Sequence, residues 1–317
     1  MTPARELLSR YLSRTRLVEA SSFAEVARAP VHLKLESDLP TGSFKVRGAI
    51  HALSVNMVRS RVNEVVASST GNHGAAVAYA ARLLGVRAAI FLPANPNPVK
   101  RANIARLGAT IVAEGRDLSE AFSIASAHAQ RTGAFFLNDA TDPDIPDGAG
   151  TIADEILEQC PDVDAIYVPV GDTALIRGIA ARAKELKPSV RIIGVQAARA
   201  PSYWQSWRSG IATPTDSADT IADGLATRTP VAENVARIRA LVDDMRLVTE
   251  DAMIAAVGRL LFREHIVAEP SGAATTAALT NELKLRPLGL DGPVVLLITG
   301  CNIPPAILRK AFGAVAD

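Results

Sequence analysis

The run Gly42-Ser43-Phe44-Lys45-Val46-Arg47-Gly48-Ala49 places one lysine in surroundings suited to reaction with an aldehyde. An amine attacks a carbonyl only when neutral, and the neutral form gains where the ammonium is poorly solvated. Phe44, Val46, Gly48 and Ala49 supply apolar flanks, and Arg47 adds a like charge. The same residues also fit a solvated lysine at a helix start, so the assignment depends on what else the chain carries.

Four further runs bear on it. Ser68-Ser69-Thr70-Gly71-Asn72-His73-Gly74 follows a β-type run and opens a helical one. Its backbone N–H groups and hydroxyls can therefore converge on an anion such as a carboxylate. An ordinary strand-to-helix turn with Ser or Thr as N-cap fits as well. The others are Val168-Pro169-Val170-Gly171-Asp172-Thr173-Ala174-Leu175, Ala268-Glu269-Pro270-Ser271-Gly272-Ala273 and Thr299-Gly300-Cys301-Asn302.

With these five runs in order, from about Leu7 to Ile303, the chain resembles the pyridoxal-phosphate enzymes of the serine/threonine dehydratase and serine racemase family, of the tryptophan-synthase-β-like fold type II. The resemblance implies that Lys45 carries pyridoxal 5'-phosphate as a Schiff base, with Phe44 beside it. It implies that Ser69, Thr70, Gly71, Asn72 and His73 hold the substrate carboxylate, Asn72 also lying near the cofactor ring. Relatives carry Ala or Ser where this chain has Thr70, the Ser working on the ring face opposite the lysine. A threonine hydroxyl can do that acid–base work, its methyl can obstruct it, and an N-cap role stays open.

Gly171 to Leu175 stands where the family has four glycines and an apolar residue around the cofactor phosphate. Glycine lets N–H groups approach phosphate oxygens without interference from Cβ. Here Asp172, Thr173 and Ala174 replace three of the four. Thr173 can donate a hydroxyl, whereas Asp172 repels phosphate unless its carboxylate points away. Glu269 and Gly224 match residues beside the ring, Glu269 also suiting a helix N-terminus. Thr299 would face the pyridine nitrogen. A neutral partner there leaves the ring a weaker electron sink, which favours prompt loss of a β-substituent over transamination.

The implied activity is an ammonia-lyase or dehydratase converting L-serine, L-threonine or a similar β-hydroxy amino acid to a 2-oxo acid and ammonia, with Lys45 as base. The alternatives are a racemase using Thr70, β-replacement with an added nucleophile, and a degenerate ligand-binding protein. Gln196, Ala200 and Ser202 stand where some relatives have acidic cation ligands, so no metal is expected. No regulatory domain is expected beyond Asn302. Gly148-Ala149-Gly150-Thr151 lacks the third glycine of a dinucleotide fingerprint. Cys301 reads as a packing residue in a glycine position, and the resemblance implies a homodimer.

The elements that must position these residues are legible in outline. Short β-branched runs alternate with Ala-rich helical ones, the pattern of an α/β chain. Strands are expected at Val31–Leu35, Val65–Ser68, Ala88–Leu92, Thr110–Val112, Ala165–Pro169, Arg191–Val195 and Val294–Thr299. Helices are expected at Gly74–Leu84, Pro98–Leu107, Leu118–Thr132, Thr151–Gln159 and Leu175–Leu186, with Gly85, Gly108 and Gly133 as left-handed stops. The resemblance implies two open, mostly parallel twisted sheets flanked by helices. A large cofactor domain of 1–56 and 143–317 would hold an inserted small domain of 57–142. Asn138–Asp147 reads as the return linker and Pro201–Thr229 as an irregular surface excursion.

The 317 residues carry 34 Lys and Arg against 33 Asp and Glu, with few aromatics and no basic block, so nucleic acid is an unexpected partner. No run is long enough to span a bilayer and no secretory signal opens the chain, so a cytoplasmic protein without a membrane partner is expected. Two cysteines make no disulfide framework.

Overall fold

The computed structural model describes residues 2–24, 26–27, 29–95, 98–285 and 292–313. In chain order the first elements are α1 (Pro3–Ser9), β1 (Leu17–Glu19), β2 (Val31–Leu35), α2 (Lys45–Arg59), β3 (Glu64–Ser68), α3 (Asn72–Leu84), β4 (Arg87–Leu92), α4 (Pro98–Arg106), β5 (Thr110–Ala113), α5 (Leu118–Thr132) and β6 (Phe135–Phe136). There follow α6 (Ile145–Gln159), β7 (Ala165–Pro169), α7 (Ala174–Leu186), β8 (Arg191–Ala197), α8 (Ser202–Ser209), α9 (Ala232–Leu241), β9 (Asp244–Val248), α10 (Glu250–Arg263), α11 (Pro270–Leu285), β10 (Val294–Ile298) and α12 (Pro305–Gly313).

The chain forms two compact units, one of Met1–Leu12 and Phe44–Ala149, the other of Ser13–Ser43 and Gly150–Asp317. The smaller unit holds a parallel sheet in the order β5-β4-β3-β6. Val66, Ala89, Phe91, Ala125 and Ala129 form an apolar core where α5 packs on that sheet. This unit differs from the expected 57–142: α2 packs along α3, Met1–Leu12 joins through α1 on α2, and Ile145 and Gly148 pack on α2 at the other end. The 138–147 segment, expected as a linker, is bonded to α2. Arg59 Nη1 donates to Asp144 Oδ2 at 2.6 Å, and the His51 ring meets the Asp144 carbonyl at 2.8 Å. Asp142 Oδ1 accepts from the N–H of Asp144 and of Ile145 at 2.9 and 3.2 Å, which starts α6.

The larger unit holds a sheet in the order β1-β2-β10-β7-β8-β9, parallel except for β1 at one edge. Its central strands β7 and β10 are buried at every position, as strands covered on both faces must be. Both sheets thus match the α/β expectation, and Gly85, Gly108 and Gly133 stop three helices at φ of +72°, +88° and +72°. The 201–229 stretch is less irregular than expected. It begins with α8, where Tyr203 is buried, and then inserts Ala222 and Leu225 into the core of its unit.

Candidate active site

In the smaller unit Lys45 is the first residue of α2, with a side chain only 14% exposed. Its Nζ donates to Asp139 Oδ2 at 2.7 Å and lies 5.2 Å from the centroid of the Phe44 ring. The helix behind it is locked in place. A Cβ on Gly48 would come within 2.7 Å of Ile145 Cγ2, and one on Gly148 within 2.6 Å of the Arg47 carbonyl oxygen. Gly148 therefore serves helix packing, with no nucleotide fingerprint involved. Asp139 departs from the expectation that the surroundings favour a neutral amine. A carboxylate at 2.7 Å stabilises the ammonium form through a charge-assisted hydrogen bond.

The loop after β3 also takes shape within this unit. It folds back so tightly that a Cβ on Gly74 would lie 2.4 Å from the Ser69 carbonyl oxygen. Gly71 is the N-cap of α3, with no side-chain hydrogen bond to the cap, and its own N–H meets Ser69 Oγ at 3.2 Å. Thr70 and the two serines are thus not used as N-cap acceptors. A Cβ built on Gly71 meets nothing within 4 Å, so glycine here keeps room in front of the helix. The first turn of a helix carries N–H groups with no intrahelical acceptor and a partial positive charge, the requirements of a carboxylate site. His73 is buried, with Nε2 at 2.9 Å from the Leu137 carbonyl. A carbonyl only accepts, so Nε2 bears hydrogen, and Nδ1 faces Asp139 Oδ2 at 3.7 Å. Lys45, His73 and Asp139 are thereby gathered, with Asn72 one residue before His73 on the same first turn.

The larger unit gathers the remaining candidates. Gly171 follows β7, and a Cβ there would come within 2.1 Å of the Gly224 carbonyl oxygen. The Gly224 N–H donates to Ser271 Oγ at 3.1 Å, and Ser271 lies two residues from Glu269 on the start of α11. The Glu269 N–H donates to the Gly300 carbonyl at 3.0 Å, and a Cβ on Gly300 would lie 2.6 Å from Glu269 Oε1. Thr299, buried directly after β10, precedes that glycine. Gly171, Gly224, Ser271, Glu269 and Thr299–Gly300 therefore form one contiguous set at strand and helix termini.

The loop from Gly171 to Leu175 has the form of an anion cradle, with one exception. Thr173 has φ of +78°, in the left-handed region where glycine is at ease, which suits the glycine that the resemblance puts at this place. Its Oγ1 accepts from Arg177 Nε at 3.1 Å, one turn along α7. That bond leaves the threonine proton to be directed elsewhere and adds a positive charge. The exception is Asp172. Its Oδ1 accepts from the Ala174 N–H at 2.9 Å, the donor that the resemblance gives to phosphate, so the carboxylate does not turn away from the loop. Leu175, the next residue, is buried in the first turn of α7.

Several roles were not foreseen. Asp139 lies in the segment expected as a linker, Arg177 bonds Thr173 from one turn along α7, and Asn234 and Ser271 act across tertiary distances. Asn234 Nδ2 reaches the Asp172 carbonyl at 3.4 Å. Of the residues at the expected cation place, Gln196 Oε1 accepts from the Trp204 N–H at 2.8 Å and Ser202 Oγ donates to the Thr227 carbonyl at 2.5 Å. Burial pushes the Cys301 thiol up, with Glu269 and Asp38 adding to the effect, which suits a neutral packing residue.

The residues present fit a phosphorylated aldehyde: a sheltered lysine amine, a helix N-terminus with hydroxyl and guanidinium support, and two close-packed glycine turns.

Comparison with known proteins agrees. Residues 8–300 match the family described as pyridoxal-phosphate dependent enzyme. An L-threonine ammonia-lyase of Geobacter sulfurreducens is 37% identical over 300 residues, 95% of this chain and 74% of that one. The catabolic L-threonine dehydratase of Escherichia coli (strain K12) is 33% identical over 312 residues, 98% and 94% of the two chains. Among solved structures, the processed form of threonine deaminase isoform 2 from Solanum lycopersicum aligns with a TM-score of 0.92 at 28% identity, covering 99% of this chain and 85% of that one. Maize serine racemase aligns with a TM-score of 0.90 at 29% identity, covering 98% and 94%. The family match over residues 8–300 and the similarity to these relatives over nearly the whole chain place this chain among the pyridoxal-phosphate dependent enzymes.

Proposed function

We propose that this protein is a pyridoxal-phosphate-dependent ammonia-lyase that converts L-threonine or L-serine to a 2-oxo acid and ammonia. The observation that carries the reading is the sheltered Lys45 amine at the head of α2, held by Asp139 in the same unit as the α3 helix start. The similarity to threonine ammonia-lyases supports the choice of substrate.

When bound, pyridoxal phosphate supplies an aldehyde for the amino group and a conjugated ring that takes up the electron pair left by a departing α-proton. Lys45 is the residue that joins that aldehyde, and its amine, once released, takes the α-proton. Ser69, Thr70, Asn72 and His73, with the first N–H groups of α3, receive the substrate carboxylate and so orient the Cα–H bond. Gly171, Thr173 and Leu175 would hold the phosphate, Arg177 supporting Thr173. Thr299 would offer the ring nitrogen a neutral hydrogen-bond partner, which would favour β-elimination, and Glu269 and Gly224 would border the ring.

Lys45→Ala should abolish both the cofactor absorbance band and the release of 2-oxo acid from L-threonine and L-serine. A borohydride-trapped adduct on another lysine would overturn the assignment. A second reading, an amino-acid racemase, is favoured by Thr70, whose hydroxyl is not used to cap α3. Chiral analysis of amino acid recovered after incubation separates the two: little D-enantiomer is expected beside abundant 2-oxo acid.

A further inference from the structure

We propose that Asp139 is a positioning residue for Lys45: its carboxylate aims Nζ and stabilises the ammonium that forms there when the lysine takes the α-proton. This rests on the lyase reading above and deepens it. The geometry is specific. Asp139 Oδ2 lies 2.7 Å from Nζ, with the two side chains 25% and 14% exposed, so water competes weakly for the bond. The carboxylate does not sit on a loose tip. Asn138 Oδ1 accepts the Ala140 N–H at 3.1 Å, and the Asn138 carbonyl accepts the Asp142 N–H at 2.9 Å. On the other side His73, fixed by the Leu137 carbonyl, faces the same oxygen at 3.7 Å.

Each proton is accounted for. Neutral Nζ takes the proton from Cα, forming an N–H bond as the C–H bond breaks. The electron pair left on carbon, which the conjugated ring would take up when the cofactor is bound, ends as the Cα–Cβ double bond while the C–O pair departs with the β-oxygen. That oxygen takes a proton back from Nζ and leaves as water. Asp139 neither gains nor loses a proton. It accepts a hydrogen bond that strengthens when Nζ becomes cationic, which makes the lysine a better base during the step that needs one.

The test compares the holoenzyme with Asp139→Asn and Asp139→Glu on L-threonine and on α-deuterated L-threonine. Asp139→Asn should lower kcat by about tenfold to a hundredfold with KM changed less than about threefold. The deuterium isotope effect on kcat should grow, because proton removal becomes more nearly rate-limiting, while the cofactor band and melting temperature stay with the parent. Asp139→Glu, which keeps the charge, should recover part of kcat, and it serves as the comparison if Asp139→Asn does not fold. Equal kcat and equal isotope effect in parent and variants would overturn the proposal. A parent that exchanges the α-proton of L-threonine in heavy water without eliminating is judged by the same ratio of exchange rates. A parent that neither exchanges nor eliminates any β-hydroxy amino acid removes the lyase reading and this role with it, an outcome distinct from an active parent with indifferent variants.

Discussion

At the scale of single residues, the Gly171–Leu175 loop carries Asp172, Thr173 and Ala174 where the family resemblance puts glycines around a phosphate. Asp172 holds the Ala174 N–H, so a phosphate bound there would compete with a carboxylate for one donor at the start of α7. Two like charges within about 4 Å cost about 1 kcal/mol per pair even in water. Asp172→Asn keeps an acceptor for that N–H and removes the charge. It should bind pyridoxal phosphate about tenfold more tightly, with the affinity for pyridoxal, which lacks phosphate, unchanged. Arg177 acts in the opposite sense. Its Nε bond to Thr173 Oγ1 directs the hydroxyl proton away from the arginine and brings a cation to the loop. Arg177→Met should weaken pyridoxal phosphate but not pyridoxal. Fluorescence titration of the apoenzyme with both compounds checks this, and equal changes for the two would show that the residue acts only on local folding.

At the scale of elements, Asp142 shows what anchoring the reactive segment costs. Burial lifts its carboxyl above the ordinary value of 3.8, against the lowering effect of the N–H groups of Asp144 and Ile145. The folded state then binds this proton more strongly than the unfolded one. The contribution to stability is fullest below the unfolded value and falls as pH rises through the raised folded one. Asp142→Asn retains the oxygen that caps α6 and loses this penalty. It should melt higher than the parent at neutral pH, the gap closing below about pH 4. A gap that persists or reverses in acid would mean that the carboxylate acts through another partner.

How far these elements could be read in advance follows from their surroundings. The buried parallel strands β2, β7 and β10 are continuous apolar runs and stand out, β2 and β7 with the bounds expected. The edge strand β9, buried only at Met245 and Val248 and carrying Asp244 and Arg246, does not. Helix α11 is rich in Ala and Thr and buried along most of its length, so it has no polar stripe to reveal its period. The candidate site is legible in the sequence where its proposed residues sit in one short run, as at Lys45, Ser69–His73 and Gly171–Leu175. Asp139 was not, because nothing in Asn138-Asp139-Ala140 says that it meets a lysine 94 positions earlier.

At the scale of the whole molecule, each unit has its own sheet and apolar core, the minimum for a separate folding unit. The chain passes between them at residues 12–13, 43–44 and 149–150, so neither is a single stretch. A simple two-state transition is therefore not the expectation. The sequence contains its own probe of this. Both tryptophans, Trp204 and Trp207, lie on α8 in the larger unit, whereas the helices of both units contribute to far-ultraviolet dichroism. Denaturant unfolding of the apoenzyme should give a tryptophan-fluorescence midpoint that differs from the dichroism midpoint. Fluorescence reports the larger unit alone, while dichroism also contains the loss of α2, α3 and α5. Coincident curves with one midpoint and one slope would show instead that the two cores unfold as one, so that a change at the α2 packing glycines would destabilise the Gly171–Leu175 loop as much as Lys45.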